Sequence, residues 1–233
     1  MSRALGGLHE LDLPHIVLED LDSPTLEEAE MHHLQTVRRL RSGSHLTATD
    51  GRGSWSIFRF DKSILTPIKD KAFCEGPKVA SEIYISITKS GKPELVTQKL
   101  TELGVGLISF FFSERSVPKW DAKKIEKNHK KLLKVSRLAL AQSKGVWLPT
   151  IDIGGSFEEI VKGTDIALAH QSAMKVTNEV RRIAIGPEGG WSTKEEATAK
   201  AKGFNFFTFG SNTLRVETAA LSGLTVAREN FLL

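Results

Sequence analysis

The sequence predicts an α/β protein in two parts: a mainly parallel sheet with helices on both faces over residues 76–233, preceded by a small β-barrel over residues 1–75. Three observations carry this expectation. Beyond residue 76 apolar strand-like runs alternate with helical segments. The first 75 residues hold short strands and turns without a long helix. Two glycine-bearing loops, Gly186-Pro187-Glu188-Gly189-Gly190, followed by the helix-start chemistry of Ser192-Thr193-Lys194-Glu195-Glu196, and Phe209 to Thr218, follow late apolar runs, where open α/β sheets bind ligands.

Residues 1–20 define no element, and Met1 to Leu8 read as either a disordered end or a strand arm. Ser23-Pro24-Thr25-Leu26-Glu27-Glu28 has the chemistry of a helix start, running on through His33-Leu34. Polar–apolar alternation over Ser44–Thr49, a turn at Asp50-Gly51-Arg52-Gly53 and renewed alternation over Trp55–Phe60 read as a hairpin. Ile64–Ile68 and Lys71–Cys74 add short strands, and Glu75-Gly76-Pro77 is the expected linker.

The second part reads as a strand over Ile83–Thr88, a helix over Pro93–Leu103 capped by Gly104, a strand over Leu107–Phe112 and a long helix over about Asp121–Gln142. Strands near Thr150–Ile153, Asp165–Ala169, Arg181–Ile185 and Asn205–Phe209 alternate with helical pieces, ending in a helix over Val216–Asn230. On the long helix Lys123, Lys127, Lys130, Lys131 and Lys134 share one face, on which acids are scarce. Ile125, Leu132, Leu133, Ala139 and Leu140 share the other. The lysine face reads equally as solvated surface or as nucleic-acid contact.

Lysine and arginine number 32 against 28 acids, a net charge of +4, which points to an anionic partner only if concentrated on one face. One cysteine, Cys74, excludes an internal disulfide framework and a cysteine-based zinc site, and fits a reducing cytoplasm. No apolar run reaches membrane-spanning length, so no membrane role is expected. His32 and His33 are poorly spaced for one ion and no carboxylate–histidine set completes a site, so no metal is expected. Neither an early Gly-x-Gly-x-x-Gly nor a Walker-type loop is present.

The two late loops could enclose an adenosine-like ligand through backbone contacts. Leu214-Arg215-Val216-Glu217-Thr218-Ala219-Ala220 places a guanidinium and a carboxylate at a helix start. Glu217 is accounted for by the helix dipole, whereas Arg215 is suited to a phosphate or carboxylate. Arg38, Arg39, Arg41 and Arg52 make a basic cluster in the first part. Lys89, Lys92, Lys99, Glu102 and Arg115 surround the first two strand ends of the second.

In order, the chain carries His33-x-x-x-Val37-x-Arg39, Asp50-Gly51-x-Gly53, Gln98-Lys99-x-x-Glu102-Leu103-Gly104-Val105, Ser113-Glu114-Arg115-Ser116, Gln142-Ser143, Ile185-Gly186-Pro187-Glu188-Gly189-Gly190 and Leu214-Arg215-x-Glu217-Thr218-Ala219. Over nearly its whole length it resembles the bacterial 16S ribosomal RNA uridine N3-methyltransferases of the SPOUT superfamily. It departs from them at Ala141-Gln142-Ser143-Lys144-Gly145, where the family reads Glu-Gln-x-x-Arg, and at Val216, where the family has threonine.

The resemblance implies a PUA-like RNA-binding barrel, a SPOUT domain with a deep trefoil knot, S-adenosyl-L-methionine held in the knot, and a cytoplasmic homodimer acting on 16S ribosomal RNA or the small ribosomal subunit. By that likeness Gly186, Pro187, Glu188, Gly189, Gly190, Phe209, Gly210, Leu214, Arg215 and Val216 line the cofactor, with Leu168, Ala169 and His170 closing it. Arg215 is expected to stabilise the charge developing on the base or the adjoining phosphate, and Glu217 or Glu188 to take its proton. Arg38, Arg39, Arg52, Lys89, Lys99 and Arg115 are the expected RNA contacts. Two rivals stay open: a non-catalytic RNA-binding or ribosome-assembly protein on the same fold, and an enzyme whose Gly-Pro-Glu-Gly-Gly turn holds a small phosphorylated metabolite.

Overall fold

Alternation along one strand organises the first half of the chain. In β3 (Ser54–Asp61) Trp55 and Ile57 enter one apolar cluster with Leu8, Cys74 and Val146, while Phe58 and Phe60 enter another with Leu18, Leu21, Leu34, Leu46 and Leu65. β3 is thus covered on both faces, and its neighbours build outward from it. β2 (Ser44–Thr49) pairs antiparallel to it across the predicted hairpin, with Thr49 opposite Trp55. β1 (His15–Val17) runs parallel to β2, while β4 (Ile64–Pro67) and β5 (Ala72–Phe73) pair with opposite ends of β3. The hairpin turn is closed by Asp50, whose Oδ1 accepts from the N–H groups of Arg52 (2.7 Å) and Ser54 (3.1 Å).

This computed structural model describes all residues except 1, 2, 63, 77–79, 90, 91, 164, 172–179 and 233; the side chains of 3–6, 29, 30, 33, 37 and 228–232 also lie outside the description. Pro77 of the expected linker and the side chain of His33 therefore fall outside it. The chain forms two compact units, Met1–Lys78 with Arg137–Leu148, and Val79–Ser136 with Pro149–Leu233.

Two expectations for the first unit are corrected. The N-terminal segment is neither disordered nor a strand: α1 (Arg3–Glu10) is helical although it contains two glycines. Burial of Leu8 against Trp55, Ile57 and Val146 outweighs the weak helix propensity of Gly6 and Gly7. The helix expected from Ser23 starts later, as α2 (Glu28–His32), and continues into a π-helical turn, His33–Val37. Leu26, upstream of it, lies against the Phe58 cluster outside any helix.

The stretch Arg137–Leu148 packs into this unit through named bonds. Arg137 donates to Glu19 Oε1 (2.6 Å) and the Val17 carbonyl (2.9 Å), Gly53 N–H to the Val146 carbonyl (2.8 Å), and Trp147 Nε1 to the Cys74 carbonyl (3.1 Å). Lys144 Nζ donates to the Leu11 carbonyl. The sequence in which the chain departs from the resembled family, 141–145, thus belongs to a segment packed into the first unit.

The second unit is a six-stranded parallel sheet in the order β11 (Asn205–Phe207), β9 (Ile166–Ala169), β10 (Arg182–Ile185), β6 (Glu82–Ser86), β7 (Leu107–Phe112), β8 (Thr150–Ser156). Helices cover both faces, as expected. Ile83, Ile85, Ile108, Phe110, Ile183 and Ile185 pack with α3 (Pro93–Glu102), α4 (Ala122–Gln142) and α7 (Val216–Leu232). Phe111, Leu168 and Ala184 point the other way, to α5 (Phe157–Ile160) and α6 (Thr193–Ala201). Strands buried on both faces explain their near-continuous apolar sequences.

The lysines of α4 are exposed, but the expected scarcity of acids does not hold: Lys130 pairs with Glu126 (2.5 Å) and Lys131 with Glu94. Leu133, expected on the buried face, is exposed, whereas Leu132 is buried.

Candidate active site

Because all six strands are parallel, every loop that leaves a strand at its carboxyl end emerges on one edge. The register keeps these ends level: Ile185 lies opposite Ile85, Ser86 opposite Phe111, Ala184 opposite Leu168, and Ala169 opposite Phe207. Three loops, after β9, β10 and β11, surround a cleft of about 550 Å³, within the range of small-molecule sites. Its apolar lining comes from Ala169, Ile185, Phe209, Leu214, Val216 and Ala219, and its polar lining from His170, Gln171, Thr208, Asn212 and Thr213.

Hydrogen bonds between the loops fix this geometry. Gln171 Nε2 donates to Thr213 Oγ1 (2.7 Å), tying the loop after β9 to that after β11. Trp191 Nε1 donates to the Ala169 carbonyl (2.9 Å), tying the loop after β10 to the end of β9. The Trp191 ring stacks on Phe111 (6.2 Å, 8°) and packs against Phe157 (5.5 Å), so it is held from behind. His170 Nε2 lies 3.4 Å from Glu196 Oε1, and its ring sits edge-on to Phe206.

The glycines have separate reasons. A β-carbon at Gly186 would lie 3.0 Å from Cε2 of Trp191, so a side chain there fits only if the indole gives way by a few tenths of an ångström. Gly190 has φ +67, and a β-carbon there would meet nothing within 4 Å. Gly186→Ala is expected to displace Trp191 and lower stability by about 1–2 kcal/mol, read as a fall in the urea midpoint with unchanged m-value; an unchanged midpoint would show that the indole yields without cost.

Of the residues singled out from sequence, the structure brings Ala169, His170, Gly186, Pro187, Glu188, Gly189, Gly190, Phe209, Leu214, Arg215 and Val216 to this cleft. It does not bring Leu168, which is fully buried: strand alternation turns its side chain into the Phe111–Trp191 cluster, away from the lining. Gly210 forms the turn behind, its carbonyl accepting from Thr208 Oγ1 (2.8 Å), and is not in the lining. Glu217, in the first turn of α7, is not in the lining either. Arg215 and Glu188 are exposed at the cleft.

Arg115 reaches the same loop: its Nη1 donates to the Gly189 carbonyl (2.8 Å). Lys89 is exposed beyond the end of β6, and Lys99 is paired with Glu102 (2.8 Å). In the first unit Arg38 and Arg39 are exposed, and Arg52 donates to the Glu19 carbonyl (3.1 Å). Gln171 and Thr208 stand outside the stretches the sequence points to, and Trp191, Asn212 and Thr213 lie at or in its two loops without being among the expected site residues. Trp191, next to the glycine loop, and Gln171, next to His170, were within reach of that reading; the Gln171–Thr213 bridge spans 42 residues and had no local signal. Among the described residues no group of three histidine, cysteine or acidic side chains could hold a metal ion, and no helix is long and apolar enough to cross a membrane.

Comparison with known proteins places this arrangement. A family model described as RNA methyltransferase domain matches residues 75–228, and one described as RNA methyltransferase PUA domain matches residues 26–58. The ribosomal RNA small subunit methyltransferase E 2 of Borreliella burgdorferi is 31% identical over 211 residues, covering 83% of this chain and 85% of that protein. A Legionella pneumophila methyltransferase solved in complex with its bound cofactor S-adenosylmethionine shares the fold with a TM-score of 0.83 at 23% identity, over 94% of this chain and 98% of that one. The ribosomal RNA small subunit methyltransferase E of Neisseria gonorrhoeae, solved bound to S-adenosylmethionine, does so with a TM-score of 0.78 at 24% identity, over 93% and 97%. With its SPOUT-type parallel sheet, its PUA-like first unit and its cleft at the carboxyl edge, the chain belongs to the ribosomal RNA small subunit methyltransferase E family.

Proposed function

We propose that this protein methylates N3 of a uridine in the decoding region of 16S ribosomal RNA, using S-adenosyl-L-methionine. The observation that carries the reading is the cleft walled by the loops after β9, β10 and β11, in a chain of this family, with an exposed guanidinium at its lining.

The residues present fit the cofactor. Gly190 keeps a stretch of the lining free of side-chain atoms, Ile185, Leu214 and Ala219 offer apolar surface for a purine, and backbone groups of the 186–190 loop and the Thr208 and Thr213 hydroxyls offer polar partners for a ribose. Bound there, S-adenosyl-L-methionine supplies a methyl group made electrophilic by the adjacent sulfonium. The protein's share is orientation and electrostatics. Arg215 stabilises negative charge developing on the uracil ring or holds the adjoining phosphate, and Glu188, the carboxylate in the lining, accepts the N3 proton, a role that Glu217, outside the lining, no longer shares. The target base is flipped from its stack to reach the cleft. Arg38, Arg39, Arg52, Lys89, Lys99 and Arg115 hold RNA phosphates, with the salt dependence that implies. The working form is a cytoplasmic homodimer, and the partner RNA is free 16S ribosomal RNA or the assembled small subunit.

Nucleoside mass spectrometry of ribosomal RNA from a strain lacking this gene tests the reading. Loss of 3-methyluridine from 16S ribosomal RNA, restored by the gene in trans, is expected; an unchanged level would overturn it. Calorimetry with S-adenosyl-L-methionine separates it from the non-catalytic rival, which predicts no binding at millimolar ligand.

A further inference from the structure

The loop from Gly186 to Ser192 is held from a side that does not line the cleft. Glu195, in the first turn of α6, is 3% exposed, and its two carboxylate oxygens serve different elements. Oε2 accepts from the N–H of Ser192 (2.8 Å), completing a capping box with the Ser192 hydroxyl, which accepts from Glu195 N–H (3.1 Å). Oε1 accepts from the N–H of Glu114 (2.9 Å), in the turn after β7. Glu114 returns the contact, its Oε2 accepting from the Ser192 hydroxyl. The next residue, Arg115, donates from Nη1 to the Gly189 carbonyl (2.8 Å). The Glu114–Arg115 segment therefore grips the loop at residues 189 and 192. Between these grips lie Gly190 and Trp191, both in the cleft lining.

An ordinary capping box needs one carboxylate oxygen, and α5 shows it: Ser156 caps the helix and Glu159 Oε2 accepts from Ser156 N–H (2.7 Å). In α6 the second oxygen is committed to another strand's loop, 81 residues away in sequence. Two backbone donors from separate loops, the buried N–H of Ser192 and the part-buried N–H of Glu114, thus converge on one buried carboxylate, and leaving the Ser192 donor unpaired in that setting is costly.

We propose that Glu195 is a positioning residue for methyl transfer: through Glu114 and Arg115 it sets the shape of the 186–192 loop that receives S-adenosyl-L-methionine, a role that rests on the cofactor reading above. Glutamine cannot replace it, because an amide offers one acceptor oxygen to two backbone donors and turns an N–H donor toward the second.

The test compares Glu195→Ala, Glu195→Gln, Arg115→Ala and Glu159→Ala in the full-length protein, each well below its unfolding midpoint. Cofactor affinity is read by calorimetry without RNA, and steady-state kinetics with small subunits give KM and kcat. For Glu195→Ala the Kd and KM for S-adenosyl-L-methionine are expected to rise roughly tenfold, about 1.4 kcal/mol, with kcat at saturating cofactor within about twofold of wild type. Glu195→Gln should lose roughly three- to tenfold, and Arg115→Ala, an exposed position that leaves the core intact, roughly threefold. Glu159→Ala, which removes the same capping box from a helix outside the cleft lining, should leave both constants unchanged. Unchanged affinity in folded Glu195 variants, or an equal loss in Glu159→Ala, would reduce Glu195 to a helix cap and overturn the proposal. If the glutamate variants do not fold, unchanged affinity in Arg115→Ala overturns it. Wild-type protein that binds no S-adenosyl-L-methionine brings down the cofactor reading and this inference together.

Discussion

Arg215→Ala is expected to lower kcat by roughly 10²–10³-fold while changing S-adenosyl-L-methionine affinity by less than about threefold. Arg215 immediately precedes α7, is exposed at the cleft, and among the described residues no carboxylate is paired with it. A guanidinium held there beside a helix N-terminus adds to the positive end of the dipole, so the place favours an anion. Uracil acquires that character only as N3 loses its proton, which makes the interaction stronger in the transition state than in the ground state and directs the loss to kcat. Lysine keeps the charge without the planar fork and should restore part of the rate. Single-turnover methylation of small subunits beside calorimetry checks this. A fall in cofactor affinity as large as the fall in rate would reassign Arg215 to holding the cofactor.

The second large effect concerns stability and pH. His15 is 5% exposed, with Nδ1 2.8 Å from Thr47 Oγ1 and Nε2 3.1 Å from the Gly145 carbonyl. A carbonyl can only accept, so Nε2 carries the proton; in the neutral ring Nδ1 is an acceptor, and the single Thr47 hydroxyl proton is shared between it and the Pro14 carbonyl at 3.2 Å, which also accepts from the Thr47 N–H (2.8 Å). Burial pushes the imidazole down to about 4, the Gly145 bond opposing and Lys144 and His9 adding to the depression. The unfolded chain therefore binds a proton near pH 6.5 that the folded chain refuses until about pH 4. Between these values the unfolded state binds more protons, so stability rises with pH; it is fully present above about pH 6.5 and is lost as pH falls toward 4. The full difference is about 3 kcal/mol, of which about 2 kcal/mol is gone by pH 5. Urea titrations of wild type and His15→Gln at pH 7.5 and 5 should show the wild type losing about 2 kcal/mol more than the variant. Equal losses would mean that His15 titrates no differently when buried.

Much of the architecture was legible without coordinates because the strands carry their own signal. The apolar run Leu107–Phe112 has the same ends as the strand it forms, and Arg181–Ile185 and Asp165–Ala169 differ from their strands by one residue. An apolar run buried on both faces is nearly independent of what surrounds it. α1 and the start of α2 are not legible for the opposite reason: Leu8 packs against Trp55 and Val146, and Leu26, just upstream of α2, against the Phe58 cluster, contacts that lie far along the chain. Propensity is a weak prior where one buried side chain decides.

For the cleft, the sequence by itself determined the chemistry of the loops: Gly186 to Gly190 with its pliable backbone, Leu214 to Val216 opening the last helix, and the capping serine at Ser192. Only the tertiary structure decided which loops meet. The order β11-β9-β10-β6-β7-β8 sets the last strand beside β9, so Thr213 reaches Gln171, and it sets β7 within reach of α6, so Glu114 and Ser192 share one buried carboxylate. Strand order is a property of long-range pairing, whose free energy comes from surfaces buried between distant segments. Local periodicity specifies what each segment can bury, but not the neighbour it buries it against.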